Sequence, residues 1–97
     1  MLAITAFPSF AADQPFIGKW ADGEIATCSD PFEFTAKTYS PPMSGKTGKI
    51  RKIERDGRFI GIELADGYRI TLFDVKKNTM TWHSPASGDT FELKRCR

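Results

Sequence analysis

The sequence has very few residues of the kinds that bind metals or act as nucleophiles. Histidine occurs once, at His83, and cysteine twice, at Cys28 and Cys96. Three such side chains without a closely spaced pair do not provide the four ligands of a structural zinc site. Ser84 and Asp89 lie near His83, but neighbouring residues of a strand face opposite sides, so a Ser–His–acid site is not expected. The chain is therefore predicted not to be an enzyme and to hold no metal or cofactor.

The sequence also lacks helical periodicity. No long segment repeats its apolar residues at the three- and four-residue spacing of an amphipathic helix. Short alternating runs recur instead, separated by Gly, Asp, Asn, Pro and Ser. This pattern predicts an all-β protein, a small antiparallel meander barrel of seven or eight strands.

The apolar run at the start of the chain is too short to span a bilayer. Ser9 and Ala11 place small residues at the two positions that signal peptidase reads, which predicts cleavage after Ala11. Residues 1–11 are then the remnant of a signal peptide, residues 12–97 form one domain, and the protein is periplasmic or secreted. An apolar N-terminal strand or tail is the alternative. Because the basic region of a signal peptide is missing, a true start upstream of Met1 remains open.

Export bears directly on the two cysteines. In an oxidising compartment they have one intramolecular pairing, which predicts a disulfide between Cys28 and Cys96. Such a bond closes most of the chain into one loop, which the chain-entropy description values at about 4 kcal/mol. That is comparable with the whole net stability expected of so small a domain. Two free thiols are the alternative if the protein is cytosolic.

Two hairpins can be assigned from side-chain parity. The Asp-Gly turn in Arg55–Arg58 predicts a two-residue loop that pairs Arg55 with Arg58. A β-bulge at Arg51–Lys52 would then bring Ile50 and Ile53 to one face. The next turn, Ala65–Gly67, needs three residues with Gly67 in the left-handed conformation, because only that length turns the apolar residues of both strands to one side.

The same parity argument applies to the following turn. It makes Lys76–Asn78 a three-residue turn with Asn78 left-handed, and it pairs Leu72 with Trp82. Trp82 then points inward, while His83 points outward. In the last strand Phe91 and Leu93 point inward.

Charge is unevenly distributed along the chain. Acidic residues are in excess from Asp13 to Gly45, and basic residues from Lys46 onward. This asymmetry favours either an anionic partner or, more simply, a solvated outer face of the sheet. Nucleic acid is not an expected partner, because Phe59 is the only aromatic residue placed among the bases. We expect no insertion into a membrane, and a monomer.

The most specific motif is Gly18-Lys19-Trp20, followed at the far end of the chain by Arg95. A buried indole closes the end of a small barrel well, and a guanidinium on its face adds about 0.5–2 kcal/mol. Arg95 shares the inward parity of Leu93, which makes Trp20 and Arg95 the predicted plug. A G-x-W in the first strand with an Arg after the last resembles the lipocalin/calycin superfamily.

In size the chain is similar to the small periplasmic eight-stranded inhibitors of secreted bacterial metalloproteases. It is also similar to small exported proteobacterial proteins that end in W…L-x-R-C, which Trp82, Leu93, Arg95 and Cys96 match. The segment Ser87–Phe91 resembles the Ser-Gly loop of periplasmic lysozyme inhibitors.

The resemblance implies a protein-binding or inhibitor module with a secreted or periplasmic partner. In the metalloprotease inhibitors the segment before the barrel enters the protease cleft, which here is Asp13, Gln14, Pro15 and Phe16. Two alternatives are a small apolar-ligand carrier of lipocalin type and a protein with no activity beyond structure. The many large inward residues predict a filled barrel, which argues against the carrier.

Overall fold

A computed structural model describes residues 14–97 as one closed antiparallel barrel with strands in sequential order. The strands are β1 Gly18–Ala21, β2 Phe32–Phe34, β3 Thr38–Ser40, β4 Gly48–Asp56, β5 Phe59–Leu64, β6 Arg69–Phe73, β7 Thr79–His83 and β8 Thr90–Arg95. The predicted all-β meander barrel is confirmed, with eight strands. The predicted signal remnant, residues 1–11, lies outside the described residues. Within residues 14–97 no helix is long and apolar enough to cross a bilayer.

The barrel is closed by pairing of its first and last strands. Trp20 pairs with Arg95 and Ala21 with Lys94. Each strand thus has a neighbour on both sides, although β4 pairs with β3 only through Gly48 and Lys49 and continues to Asp56 along β5 alone. The β1–β2, β3–β4, β5–β6 and β7–β8 connections therefore lie at one end of the barrel and the remaining turns at the other.

The register of the middle strands follows side-chain parity. Ile62 pairs with Ile70 and Leu72 with Trp82, as predicted. Gly67 has a φ of 95°, and its N–H donates to Leu64 O at 2.9 Å, so the predicted three-residue turn is confirmed.

The predicted bulge is also confirmed, but the hairpin beyond it differs from the prediction. The β4–β5 register shifts between Ile50 and Lys52. The prediction that Arg55 pairs with Arg58 is wrong, since Asp56 pairs with Phe59 instead. Gly57, with a φ of 63°, takes the first loop position, where a type II′ turn needs positive φ.

The left-handed residue of the β6–β7 connection is Asp74, with a φ of 48°, and not Asn78 as predicted. The reason lies in the neighbouring turn. The Asp74 N–H donates to Arg58 O at 3.2 Å, and the Asp74 carboxylate accepts from the Arg58 guanidinium. The Lys76 N–H donates to Thr79 O at 2.8 Å, so the turn encloses the two residues 77 and 78, and the predicted three-residue turn with Asn78 left-handed is wrong.

Large side chains fill the barrel. Trp82 stacks on Phe91 with ring centroids 5.3 Å apart, and Phe32 lies 5.2 Å from Trp82. The fully or almost fully buried apolar residues are Phe16, Trp20, Ala26, Phe32, Phe34, Tyr39, Ile60, Ile62, Leu64, Ile70, Leu72, Met80, Trp82 and Leu93. An eight-stranded barrel is just wide enough for side chains to fill it, which agrees with this core.

The disulfide between Cys28 and Cys96 is present, as predicted. It joins the β1–β2 connection to the residue that follows β8. The Cys96 N–H also donates to Lys19 O at 2.8 Å. The chain is thus tied at this point by both a covalent bond and a strand-like hydrogen bond.

Candidate functional site

One end of the barrel is covered by Phe16, Trp20 and Arg95, and we call it the closed end. Trp20 is completely buried, and its indole N–H donates to Phe16 O at 2.9 Å. The Arg95 guanidinium carbon lies 4.3 Å from the centre of the Trp20 ring. A buried indole with a satisfied N–H and a cation on its face makes a rigid plug.

Arg95 also holds the segment that precedes β1. It donates to Pro15 O at 2.6 Å, to Ile17 O at 2.7 Å and to Lys77 O at 2.6 Å. The guanidinium reaches Ile17 across the space where a side chain on Gly18 would stand, and Gly18 has a φ of 136°. Only glycine fits both the backbone conformation and the close approach of Arg95.

The segment predicted to contact a partner is partly inside the core. Phe16 is completely buried and packs edge-to-face on Phe34 at 5.7 Å, so its assignment to a partner surface is wrong. The barrel end needs a large ring to seal it, and the backbone of Phe16 is fixed by Trp20. Gln14 and Pro15 are half-buried, and Asp13 lies outside the described residues.

The opposite end carries the β1–β2 and β3–β4 connections, residues 22–31 and 41–47, which together we call the loop edge. Met43 is 73% exposed and has a φ of 63°. Its N–H donates to the carboxylate of Asp30 at 2.9 Å, and Pro42 beside it is buried. The Met43 side chain thus protrudes from a loop whose backbone is fixed by the hydrogen bond to Asp30 and by the burial of Pro42.

The β1–β2 connection is itself braced. The Asp22 carboxylate accepts from Glu24 N and Ala26 N, both at 2.9 Å. Partial burial opposes ionisation of Asp22, but these backbone N–H donors prevail and hold its pKa below the usual range. Ala26 is buried, and Cys28 carries the disulfide. Ile25, 37% exposed, therefore stands on a fixed loop.

The predicted contact segment and the β3–β4 loop do not share a rim. Pro15 borders a groove with the β4–β5 turn and the β6–β7 connection, at the closed end. The β3–β4 loop borders a recess with Asp66 of the β5–β6 turn, at the loop edge. These two regions lie at opposite ends of the barrel, so they cannot form one contact surface.

The recess at the loop edge has a volume of about 270 Å³, and Tyr39, Leu64 and Tyr68 line it. The Tyr68 and Ser84 hydroxyls are hydrogen-bonded at 2.6 Å. Burial, reinforced by the neighbouring Tyr68, raises the pKa of Tyr39 well above its usual range, although Trp82 opposes the shift. The Trp82 indole N–H is buried without a well-formed hydrogen bond to residues 14–97.

The structure does not bring His83, Ser84 and Asp89 together. His83 Nδ1 bonds the Thr90 hydroxyl at 2.9 Å, Ser84 is buried against Tyr68, and the Asp89 carboxylate accepts from Ser87. Within residues 14–97 no cluster of three His, Cys, Asp or Glu side chains is placed to hold a metal.

Several of the basic residues are paired on the outer face. Glu63 accepts from Arg51 and lies 3.2 Å from Arg69, and Lys52 lies 3.2 Å from Glu54. The hydrogen bond from Arg51 holds the pKa of Glu63 below its usual range. These exposed pairs are worth little stability, and they neutralise much of the local charge.

Comparison of the chain with protein-family models, with curated proteins and with solved structures found no match. The candidate site therefore depends on geometry alone.

Sequence reasoning missed the two residues that shape the loop edge, Met43 and Asp30. The Pro-Pro-Met-Ser-Gly order does signal a constrained loop. Nothing in the sequence indicates that Asp30, thirteen residues earlier, binds the Met43 amide.

Proposed function

We propose that the protein is an exported binding or inhibitor module, periplasmic or secreted, that presents Met43 to an apolar pocket of a secreted hydrolase. The single observation that carries the proposal is the state of Met43, exposed and left-handed with its amide bound by Asp30. A non-glycine residue in this conformation costs about 1–3 kcal/mol, and it persists only where the surroundings fix it.

A braced loop suits binding for an energetic reason. Ordering a loop or a side chain on association costs free energy, and a loop already fixed in the free protein avoids much of that cost. At the loop edge the Asp30 bond, the Asp22 turn and the disulfide provide this order beforehand. Met is also suited to irregular apolar pockets because its unbranched side chain adapts its shape.

The closed barrel favours the same mode of recognition. Because each strand has a neighbour on both sides, we expect a partner to bind loops or grooves in preference to adding a strand. Ile25 and Met43, two of the large apolar side chains most exposed in residues 14–97, stand on the two connections that the Asp30 bond joins.

Two further features support the proposed exported location and the proposed class of partner. The disulfide is compatible with an oxidising, exported location. Arg95 over Trp20 is the arrangement that the resemblance to calycins, and to the small periplasmic inhibitors among them, implies. Metalloproteases and lysozymes are therefore the first hydrolases to test.

The test is direct binding of the purified protein to a panel of secreted metalloproteases and lysozymes, with enzyme activity measured in parallel. We expect one class to bind, and Met43→Glu to weaken that affinity at least tenfold. Phe59→Ser, an exposed aromatic residue at the other end, is the matched control and should keep wild-type affinity. Absence of binding to both classes, or equal binding by Met43→Glu, would overturn the proposal.

A small apolar-ligand carrier is the second candidate. The observation that favours it is the recess of about 270 Å³ beside Tyr39. Organic extraction of the purified protein followed by mass spectrometry tests it. A stoichiometric compound that is lost in Leu64→Trp, which fills the recess, would support the carrier, and an empty extract would reject it.

A further inference from the structure

The closed end has a second surface, distinct from the loop edge. A groove of about 370 Å³ runs between Pro15, the β4–β5 turn and the β6–β7 connection. Its lining, which we call the closed-end groove, is Pro15, Arg55, Gly57, Arg58, Phe59, Ile60, Asp74, Val75 and Lys76. We propose that this groove binds an acidic peptide segment and takes one of its apolar side chains between Phe59 and Val75.

The charges of the groove select an anion. Three cationic side chains, Arg55, Arg58 and Lys76, face one carboxylate, that of Asp74. Arg58 and Asp74 neutralise each other, with N–O distances of 2.9 and 3.2 Å. Arg55 and Lys76 form no ion pair with residues 14–97. Two cations are thus free to meet carboxylates of a partner.

The floor of the groove is apolar. Phe59 is 45% exposed and packs edge-to-face on Phe73 at 4.8 Å, which fixes its ring. Pro15 and Val75 are half-buried and add apolar walls. A volume of about 370 Å³ falls within the range of pockets that bind ligands.

The groove is held in shape before any partner arrives. Asp74 has a φ of 48°, a strained conformation for a residue with a side chain. Its N–H donates to Arg58 O, and its carboxylate accepts two bonds from the Arg58 side chain. The clamp ties the β4–β5 turn to the β6–β7 connection, so the spacing between Phe59 and Val75 is set.

The concave shape favours a peptide over a membrane. A flat anionic bilayer contacts protruding residues, whereas a groove accepts a side chain from an extended segment.

The test uses the full chain labelled with ¹⁵N and three capped pentapeptides with Phe at the centre, flanked by Glu, Gln or Lys pairs. We expect the Glu peptide to shift the amide signals of Phe59, Val75 and Lys76, and added salt to weaken the effect. The double variant Arg55→Glu/Lys76→Glu should weaken binding at least tenfold. A variant with the same charge change on outward strand positions, Lys49→Glu/Lys94→Glu, should not.

Met43→Glu should bind the Glu peptide like the wild type, so failure at the groove and failure at the loop edge are distinguishable. No shift at the groove, equal shifts with the Lys peptide, or binding to phosphatidylglycerol vesicles without binding to the peptide would each overturn the inference. Replacement of Phe by Gly in the Glu peptide should abolish the shift of Phe59, and an unchanged shift would refute the apolar part.

Discussion

The two ends of the barrel fix their backbone by different means. At the closed end, a buried ring and a cation hold the chain, with Trp20 under Arg95 and three backbone carbonyls bound to the guanidinium. At the loop edge, carboxylates bind backbone amides and a disulfide braces the loop. The first arrangement is part of the core, so its loss should unfold the domain, whereas loss of the second should loosen a surface.

The largest contrast is expected when one large side chain at each end of the barrel is replaced by alanine. Trp20→Ala should lower the free energy of unfolding by about 3–5 kcal/mol, since it opens a cavity and leaves Phe16 O without its donor. Met43→Ala, at an exposed site, should change it by less than about 0.5 kcal/mol. Urea unfolding followed by circular dichroism measures both, and similar losses would contradict the contrast.

Removal of the disulfide tests what joins the two regions. Cys28→Ser/Cys96→Ser should cost about 2–4 kcal/mol. Hydrogen exchange should also quicken more for the amides of Glu24 and Ala26 than for those of β5 and β6, because the brace of the β1–β2 connection is gone. Equal acceleration of amide exchange across the barrel would show that the loop edge does not open independently of the rest of the domain.

Two glycines with positive φ, one in each region, separate crowding from backbone strain. A Cβ added at Gly18 is crowded by Arg95 Nη1, whereas one added at Gly23 has no atom of residues 14–97 within 4 Å apart from its own chain neighbours. Gly18→Ala should cost at least about 1 kcal/mol more than Gly23→Ala, since both suffer the unfavourable φ but only the first displaces Arg95. Equal losses of thermal stability in the two variants would show that the close approach of Arg95 to Gly18 does not stabilise the closed end.

Alkaline pH should lower the stability of the folded protein through Tyr39, which lines the recess at the loop edge. The pKa of Tyr39 is raised in the folded state from 10.0 by burial, so the folded protein binds its proton more tightly than the unfolded chain. Its contribution is complete below pH 10 and falls above it, by up to about 1.4 kcal/mol per pH unit. Tyr39→Phe should flatten the decline between pH 10 and 11, and an unchanged decline in urea unfolding would contradict the assignment to Tyr39.

The smallest effect is expected for Met43→Gly. Glycine relieves the left-handed strain but adds freedom to the unfolded chain, so we expect a net change below about 0.5 kcal/mol. Thermal unfolding measures it. A loss above about 1 kcal/mol would mean that the Met43 side chain stabilises the loop, against its exposure.

The predictions from the sequence were most accurate where side-chain parity alone determines the strand register. Ile62 must meet Ile70 and Leu72 must meet Trp82, because any other register turns one set outward. Because the sequence has two cysteines, only one intramolecular disulfide is possible. The predicted calycin resemblance and exported location remain part of the proposal.

The prediction failed where a distant group decides a local conformation. Asp74 is left-handed because Arg58, sixteen residues earlier, binds it. Phe16 is buried because the end of the barrel needs a ring, which no local pattern shows. Asp30 reaches the Met43 amide across two loops. Such contacts exist only once the barrel has formed.

The long interval between the two cysteines has a consequence for biogenesis. Cys28 and Cys96 are 68 residues apart, and β1 pairs with β8. If the protein is exported from its N-terminus, as we propose, the Cys28 thiol leaves the secretion channel long before that of Cys96. Throughout that interval the thiol is open to mixed disulfides with other polypeptides, so the yield of correctly oxidised protein should depend on a thiol isomerase or on dilution.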